Sequence, residues 1–292
     1  MFGISYWFIP LFSGCVWLGT LLAMLGRWVA IGSPHYVSFN ANQRIAYISD
    51  IGATNWGKPL FIAGSAVSVV TFDLVFVAER WLRHRGRLTQ NYNMTEKILS
   101  ICATLAAIVG AAGLILLTIF DTRRYPHVHD AMLVVFIAAY IISAIFICAE
   151  YQRLGIHYRD QRILAYSFWI KLAFIFVELG LAIAFGVLGN QGHYNRAAII
   201  EWVISLIYIF YQWSFMIDFL PATQTKNKND RFLPPVKRKD DEMAMNTEAH
   251  GNQLGGPVYT SGGYGSDAST AFTNGTNGRH YAQQNVATSQ NF

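Results

Sequence analysis

The chain has 292 residues, of which 53% are apolar and only 13% charged, and its formal net charge is +5. A soluble domain carries about a quarter of its residues charged, so a soluble fold is excluded for most of the length. The basic balance is not that of a nucleic-acid binder either, because no basic stripe with interleaved aromatics lies on a soluble segment.

The charge is unevenly spread, and it divides the chain into a membrane domain over 1–220 and a polar tail over 221–292. The expected fold is an all-α membrane protein with six transmembrane helices in one bundle and a disordered cytosolic C-terminal tail. Apolar runs of about twenty residues with few charges are long enough to cross a bilayer, and there are six. The first covers about 7–29. No Lys or Arg precedes it and it is too long for a cleaved leader, so it reads as a retained span, with Arg27 placed to snorkel at its end. A polar loop leads to the second span, 59–79, opened by Pro59 where a missing N–H costs least. A basic loop follows, with Arg80, Arg83, Arg85, Arg87 and Lys97. The third span, 98–120, is rich in small residues (Ala106, Ala107, Gly110, Ala111, Ala112, Gly113), which let helix backbones approach closely in lipid. Asp130 stands as a helix N-cap before the fourth span, 131–151. A short basic loop separates this from the fifth span, 163–188. The sixth, 198–220, ends at Pro221.

Lys and Arg counts set the orientation. The loops at 80–97 and 152–162 and the tail carry fifteen, and the opposite loops five. The basic face is therefore expected in the cytosol with both termini. The sequons at Asn93 and Asn274 then lie on the unglycosylated side. Cys15, Cys102 and Cys148 all fall in apolar runs and give no disulfide framework. The tail is Gly, Ser, Thr, Asn and Gln with almost no aliphatic residues, a composition that cannot form a core. Its first part carries Lys226, Lys228, Arg231, Lys237, Arg238 and Lys239. That cluster is either an ordinary positive-inside anchor or a lipid-facing patch, attracted to anionic phosphoinositides at about 1 kcal/mol per basic residue. The acidic run Asp240-Asp241-Glu242 offsets the second reading.

Two constellations carry the candidate chemistry. On the outer face the segment Tyr47–Ala53, with Ser49, Asp50 and Gly52, faces the loop 121–130, with His127, His129 and Asp130. These residues read as a hydrogen-bonded clamp, or as a metal or catalytic site built on Asp50, His127 and His129. The spacing His127-x-His129 is not a zinc signature, and no metal or cofactor is assigned. Within the membrane lie Asp73, Lys171, Glu178 and Glu201. At ~1.5 Å per residue, Asp73 and Lys171 sit ~9 Å and ~12 Å from the inner ends of their spans, which predicts an ion pair between them. Lys171 and Glu178, two turns apart, share one face. That face is either a lipid-headgroup or proton path, or a set of interhelical packing contacts. P-loop, G-x-S-x-G, H-E-x-x-H and C-x-x-C motifs are absent.

Six spans, Ile48-Ser49-Asp50-Ile51-Gly52-Ala53 shortly before the second, and Val128-His129-Asp130 opening the fourth together resemble the Frag–DRAM–Sfk family of integral membrane proteins. This family includes the damage-regulated autophagy modulators and the fungal suppressor-of-four-kinase proteins. The likeness covers about Tyr6 to Leu220, and the Asn/Gly-rich tail is similar to the fungal branch. The resemblance implies a multi-pass membrane protein without established catalysis. It also implies a place at the plasma membrane, association with a phosphatidylinositol 4-kinase complex, and an influence on phospholipid distribution between leaflets. Animal members point instead to lysosomes and autophagy, and a related branch to remodelling of lipid anchors. Residue by residue, only Ser49, Asp50, Gly52, His129 and Asp130 carry over, without an assigned role. Three readings stay open: a non-enzymatic regulator or scaffold of phosphoinositide and phospholipid organisation, a membrane lipid hydrolase or anchor-remodelling factor using the outer Asp/His site, and a lipid or proton-coupled transporter.

Overall fold

A computed structural model describes residues 5–40, 42–91, 93–158, 161–225, 231–232 and 243. Of the basic tail residues it describes Arg231. Lys226, Lys228, Lys237, Arg238 and Lys239, the second sequon and the expected tail disorder lie outside the described residues. Among the described residues seven helices follow one another: α1 (Phe8–Ala30), α2 (Ile48–Gly52), α3 (Gly57–His84), α4 (Met94–Ile119), α5 (Pro126–His157), α6 (Arg162–Asn190) and α7 (Tyr194–Gln224). All but the short α2 are long and apolar enough to cross a membrane.

The six long helices close into a ring in chain order. α1 packs on α3, α3 on α4, α4 on α5, α5 on α6, α6 on α7, and α7 returns to α1. Short connections make sequential neighbours natural, and the even number of spans returns both ends to one face. There Tyr6 stacks on Phe219, and the Phe232 N–H donates to the Gly86 carbonyl at 2.9 Å. The opposite face carries α2, which leans on α1, α3 and α7.

The helices outrun the apolar segments that announce them. α3 continues to His84 and α5 to His157, so Arg83 is a buried helix residue rather than a loop residue, and Glu79 and Glu150, at the ends of their expected spans, are buried within longer helices. α5 begins at Pro126, which corrects the expected N-cap at Asp130. That residue lies in the second turn and is exposed. Pro221 does not end the last helix, which runs through it to Gln224. Near a helix end the carbonyl a proline leaves unpaired can be met by another donor. The Ala222 carbonyl, one of the last four that any helix end leaves unpaired, accepts from Arg87 Nη2.

α3 stops at Gly86 by a double closure: its N–H reaches the Arg83 carbonyl, and the Arg87 N–H reaches Leu82. This turn requires the left-handed conformation that Gly86 adopts at φ +70°. The same closure ends α1 at Gly32 and α6 at Gly192.

Small residues set the α4–α5 contact, the most extensive in the ring. A Cβ on Gly113 would fall 2.9 Å from the Phe136 backbone nitrogen, and one on Gly110 would enter the Tyr140 ring. Backbones this close gain dispersion and weak C–H···O contacts in lipid, where no hydrophobic effect draws helices together. Gly113→Leu is therefore expected to lower stability by about 1–3 kcal/mol, the usual cost of overpacking. Gly186→Leu, at a position with open space around it, should cost nothing. Thermal melts of both variants in one detergent check this.

Candidate functional site

The outer motif is built by short-range bonds around α2. Asp50 Oδ2 accepts from Gln43 Nε2 at 2.7 Å and from the Tyr47 N–H at 3.0 Å. A carboxylate three positions into a helix that caps the preceding N–H suits both local hydrogen bonding and the helix dipole. Ser49 is half-buried beside it. Gly52 allows the Phe61 ring to lie against the backbone where a Cβ would stand. The loop ahead of α2 is pinned to α7. Asn195 Oδ1 accepts from Arg44 N and Ile45 N at 2.6 and 3.0 Å, and Trp202 Nε1 donates to the Ala46 carbonyl at 3.0 Å. Glu201 completes the seam, its Oε2 accepting the Ile48 N–H at 2.7 Å. Burial pushes the Tyr47 phenol up, and the nearby Glu201 and Asp50 carboxyls add to it.

The second outer loop is a separate station. His129 is buried, with Nδ1 2.9 Å from the Leu117 carbonyl and 3.0 Å from that of Phe120, so it serves the C-terminal end of α4. Lys58 Nζ meets Asp121 Oδ2 at 2.7 Å, and the Arg124 N–H donates to Asp121 Oδ1 at 2.8 Å. His127 and Asp130 are exposed. Asp50 and His129 thus share no partner, and the expected clamp between them gives way to two clamps, one on α7 and one on α4. Among the described residues no three His, Cys, Asp or Glu side chains gather to hold a metal ion.

Burial alone would raise the Asp121 carboxyl, but Lys58 and the Arg124 N–H outweigh it and hold the group below its ordinary value. A depressed carboxyl stabilises the fold above the unfolded-state value of about 3.9. That contribution disappears as pH falls through the lower, folded value. The thermal midpoint should therefore fall on acidification below pH ~4, and Lys58→Met should flatten this part of the profile. A pH series of melts on both proteins checks it.

Inside the bundle the expected Asp73–Lys171 pair does not form. Lys171 Nζ lies 2.5 Å from Asp218 Oδ2 on α7 and 2.5 Å from Ser167 Oγ. It also stands over the faces of Tyr151 and Phe215, at 4.8 and 4.2 Å. Asp73 instead accepts from the Tyr140 hydroxyl at 3.4 Å. Nearer the termini face, Arg83 joins Glu79 (2.6 Å) and Glu150 (3.8 Å), Tyr151 Oη donates to Glu79 at 2.7 Å, and Asn91 Nδ2 donates to Glu150 at 3.3 Å. Sequence reasoning gave no role to Glu79, Glu150 and Asp218, which lie in the last turn of their expected spans, and placed Arg83 in a loop beyond the second span. The i,i+4 spacing of Glu79 and Arg83 was the available signal.

Glu178 and Glu201 face a cavity of about 120 Å³ within the ring. Its walls are Phe136, Tyr140 and Ala144 on α5, Phe174, Ala182 and Phe185 on α6, and Ile204, Tyr208 and Tyr211 on α7, with Trp17 and Phe61 behind. The α6 wall is loose. The buried residues of α6 are Leu164, Ser167, Lys171 and Ile175, all in its first half. Beyond them Glu178, Leu181, Ala182, Ala184 and Phe185 are half-buried, and Leu179, Gly180, Ile183 and Gly186 are exposed. Tyr47 packs edge-on against Phe185 at 6.2 Å and covers the slot from the α2 side. The chemistry on offer is an apolar, lipid-accessible slot with two carboxyl groups.

Residues 5–222 match the family described as the Frag1/DRAM/Sfk1/Cwh43P N-terminal domain. The chain is 29% identical over 220 residues to "Protein sfk1" of Schizosaccharomyces pombe, an overlap covering 75% of this chain and 65% of that protein. It is 29% identical over 184 residues to "Protein SFK1" of Saccharomyces cerevisiae, covering 54% and 52% respectively. The match thus spans less than two thirds of either relative. No solved structure matches.

Proposed function

We propose, because the chain belongs to the Frag1/DRAM/Sfk1/Cwh43P family, that it is a non-enzymatic organiser of membrane phospholipid and phosphoinositide that engages lipid in the slot beside α6. The slot carries this reading. Its walls are apolar, it is bounded by a helix flank that is only half-buried, and it holds polar groups below the membrane surface. Membrane-facing cavities with a few placed polar groups are where small apolar ligands bind.

The face bearing both helix termini is cytosolic in this reading, because arginine and lysine concentrate there. Exposed Arg85 stacks on exposed Trp81 at 4.5 Å on that face, a pairing suited to the headgroup layer. The basic tail segment then faces anionic inner-leaflet lipid at the plasma membrane and meets a phosphatidylinositol 4-kinase complex. Ala182→Trp, which fills the slot from its loose wall, is expected to disturb phospholipid distribution between leaflets in cells while protein abundance stays normal. Removal of 226–292 is expected to reduce kinase recruitment. The readouts are a plasma-membrane phosphoinositide reporter and labelling of outward-facing phospholipid. Wild-type values for both variants contradict the proposal.

A further inference from the structure

Resting on the reading of the slot as a lipid site, we propose that it selects a phosphate-free, long-chain primary amine whose ammonium group pairs with Glu178. The argument is one of charge. Glu178 Oε1 is buried and has no hydrogen-bond partner. Glu201, the second carboxyl on the slot, is committed to the Ile48 N–H. Among the described residues no Lys, Arg or His lines the slot. Lys171, two turns along the same helix face, is held by Asp218 and Ser167. A buried carboxylate with no cation is costly, so a ligand that supplies both a donor and a positive charge answers what the protein leaves open. An alkylammonium supplies three N–H donors.

The same charge count rejects other headgroups. A phosphodiester would bring a negative charge into a wall with two carboxyl groups and no basic partner. A quaternary choline has no N–H to donate. A fatty acid would add a third acidic group and no base.

Geometry limits the ligand further. From Glu201 to Tyr211 the slot follows α7 for ten residues, ~15 Å at the helical rise. Its enclosed volume, about 120 Å³, is close to the roughly 150 Å³ that accepts benzene in another protein. It therefore encloses one chain segment and leaves the rest against the α6 flank. Glu178 lies twelve residues before the end of α6 at Asn190, ~18 Å along the axis. That depth suits a small ammonium on a single chain and not a bulky zwitterion.

The test is a binding measurement on the full chain in nanodiscs of phosphatidylcholine, with octadecylamine, octadecanol and octadecanoate as probes. Wild type should prefer the amine. Glu178→Gln should weaken amine binding roughly ten- to hundred-fold, the span of one charge-assisted hydrogen bond, and leave octadecanol binding unchanged. Glu178→Asp should keep the preference. Sphinganine should compete with octadecylamine, and phosphatidylethanolamine added to the discs should not. Equal binding of amine and alcohol, or an amine preference that survives Glu178→Gln, overturns the ammonium pairing and leaves the lipid slot standing. Phosphatidylethanolamine competing as well as sphinganine overturns the phosphate-free assignment. Binding of no probe, with Ala182→Trp without effect on lipid retention, removes the lipid slot itself.

Discussion

Lys171→Met is expected to cost the bundle about 3–5 kcal/mol, the price of breaking a buried ion pair by deleting one partner. Lys171 is fully buried, and its ammonium is shared between Asp218 Oδ2, Ser167 Oγ and two aromatic faces. Asp218 is 5% exposed, and its Oδ1 has no partner of its own. Removing the cation leaves a whole carboxylate between α6 and α7 in an apolar layer. The double variant Lys171→Met/Asp218→Leu removes both charges and should recover most of the loss, because apolar replacement of a buried pair is often neutral. Unfolding free energies from detergent titration separate the two outcomes. A double variant as unstable as the single one would show that the pair acts by shape and not by charge.

Arg83→Met should have an effect of similar size, also about 3–5 kcal/mol. The guanidinium holds together three elements at the termini face. It meets Glu79 on α3 and Glu150 on α5, and its Nη1 donates to the Thr89 carbonyl at 2.9 Å and to Thr89 Oγ1 at 3.1 Å. Its loss would set two carboxylates side by side with no cation between them. Arg83→Lys should still cost about 1.5–3 kcal/mol, one charge-assisted hydrogen bond, because a point charge cannot match a fork that meets carboxylate and carbonyl together. The same titration reads both variants, and an Arg83→Lys protein as stable as wild type would contradict the role assigned to the fork.

These two sites show where sequence was legible and where it was not. Apolar length identified six membrane helices, and the Gly110–Gly113 region marked a close helix contact before its partner was known. Depth along a span was also readable, but direction around the helix was not. Asp73 and Lys171 lie at comparable depth, yet α3 neighbours α1 and α4 in the ring while α6 neighbours α5 and α7. Lys171 pairs with Asp218 on the adjacent α7, while Asp73 meets the Tyr140 hydroxyl on α5. Apolar runs also understate helix length, since a helix continues wherever its charges find partners. Arg83 looked like a loop residue for that reason. His129 looked like a partner for Asp50 because both lie on one face. The early start of α5 at Pro126 instead turns its ring to the carbonyls of Leu117 and Phe120. The slot itself left no contiguous signature, because its walls come from every helix of the ring and one residue of α2.

Native mass spectrometry of the chain released from its own membrane tests the central claim most directly. The account predicts one tightly retained lipid-sized adduct on the wild-type protein and its loss from Ala182→Trp, with the two proteins folded alike by thermal melt. Equal adducts on both proteins would contradict it.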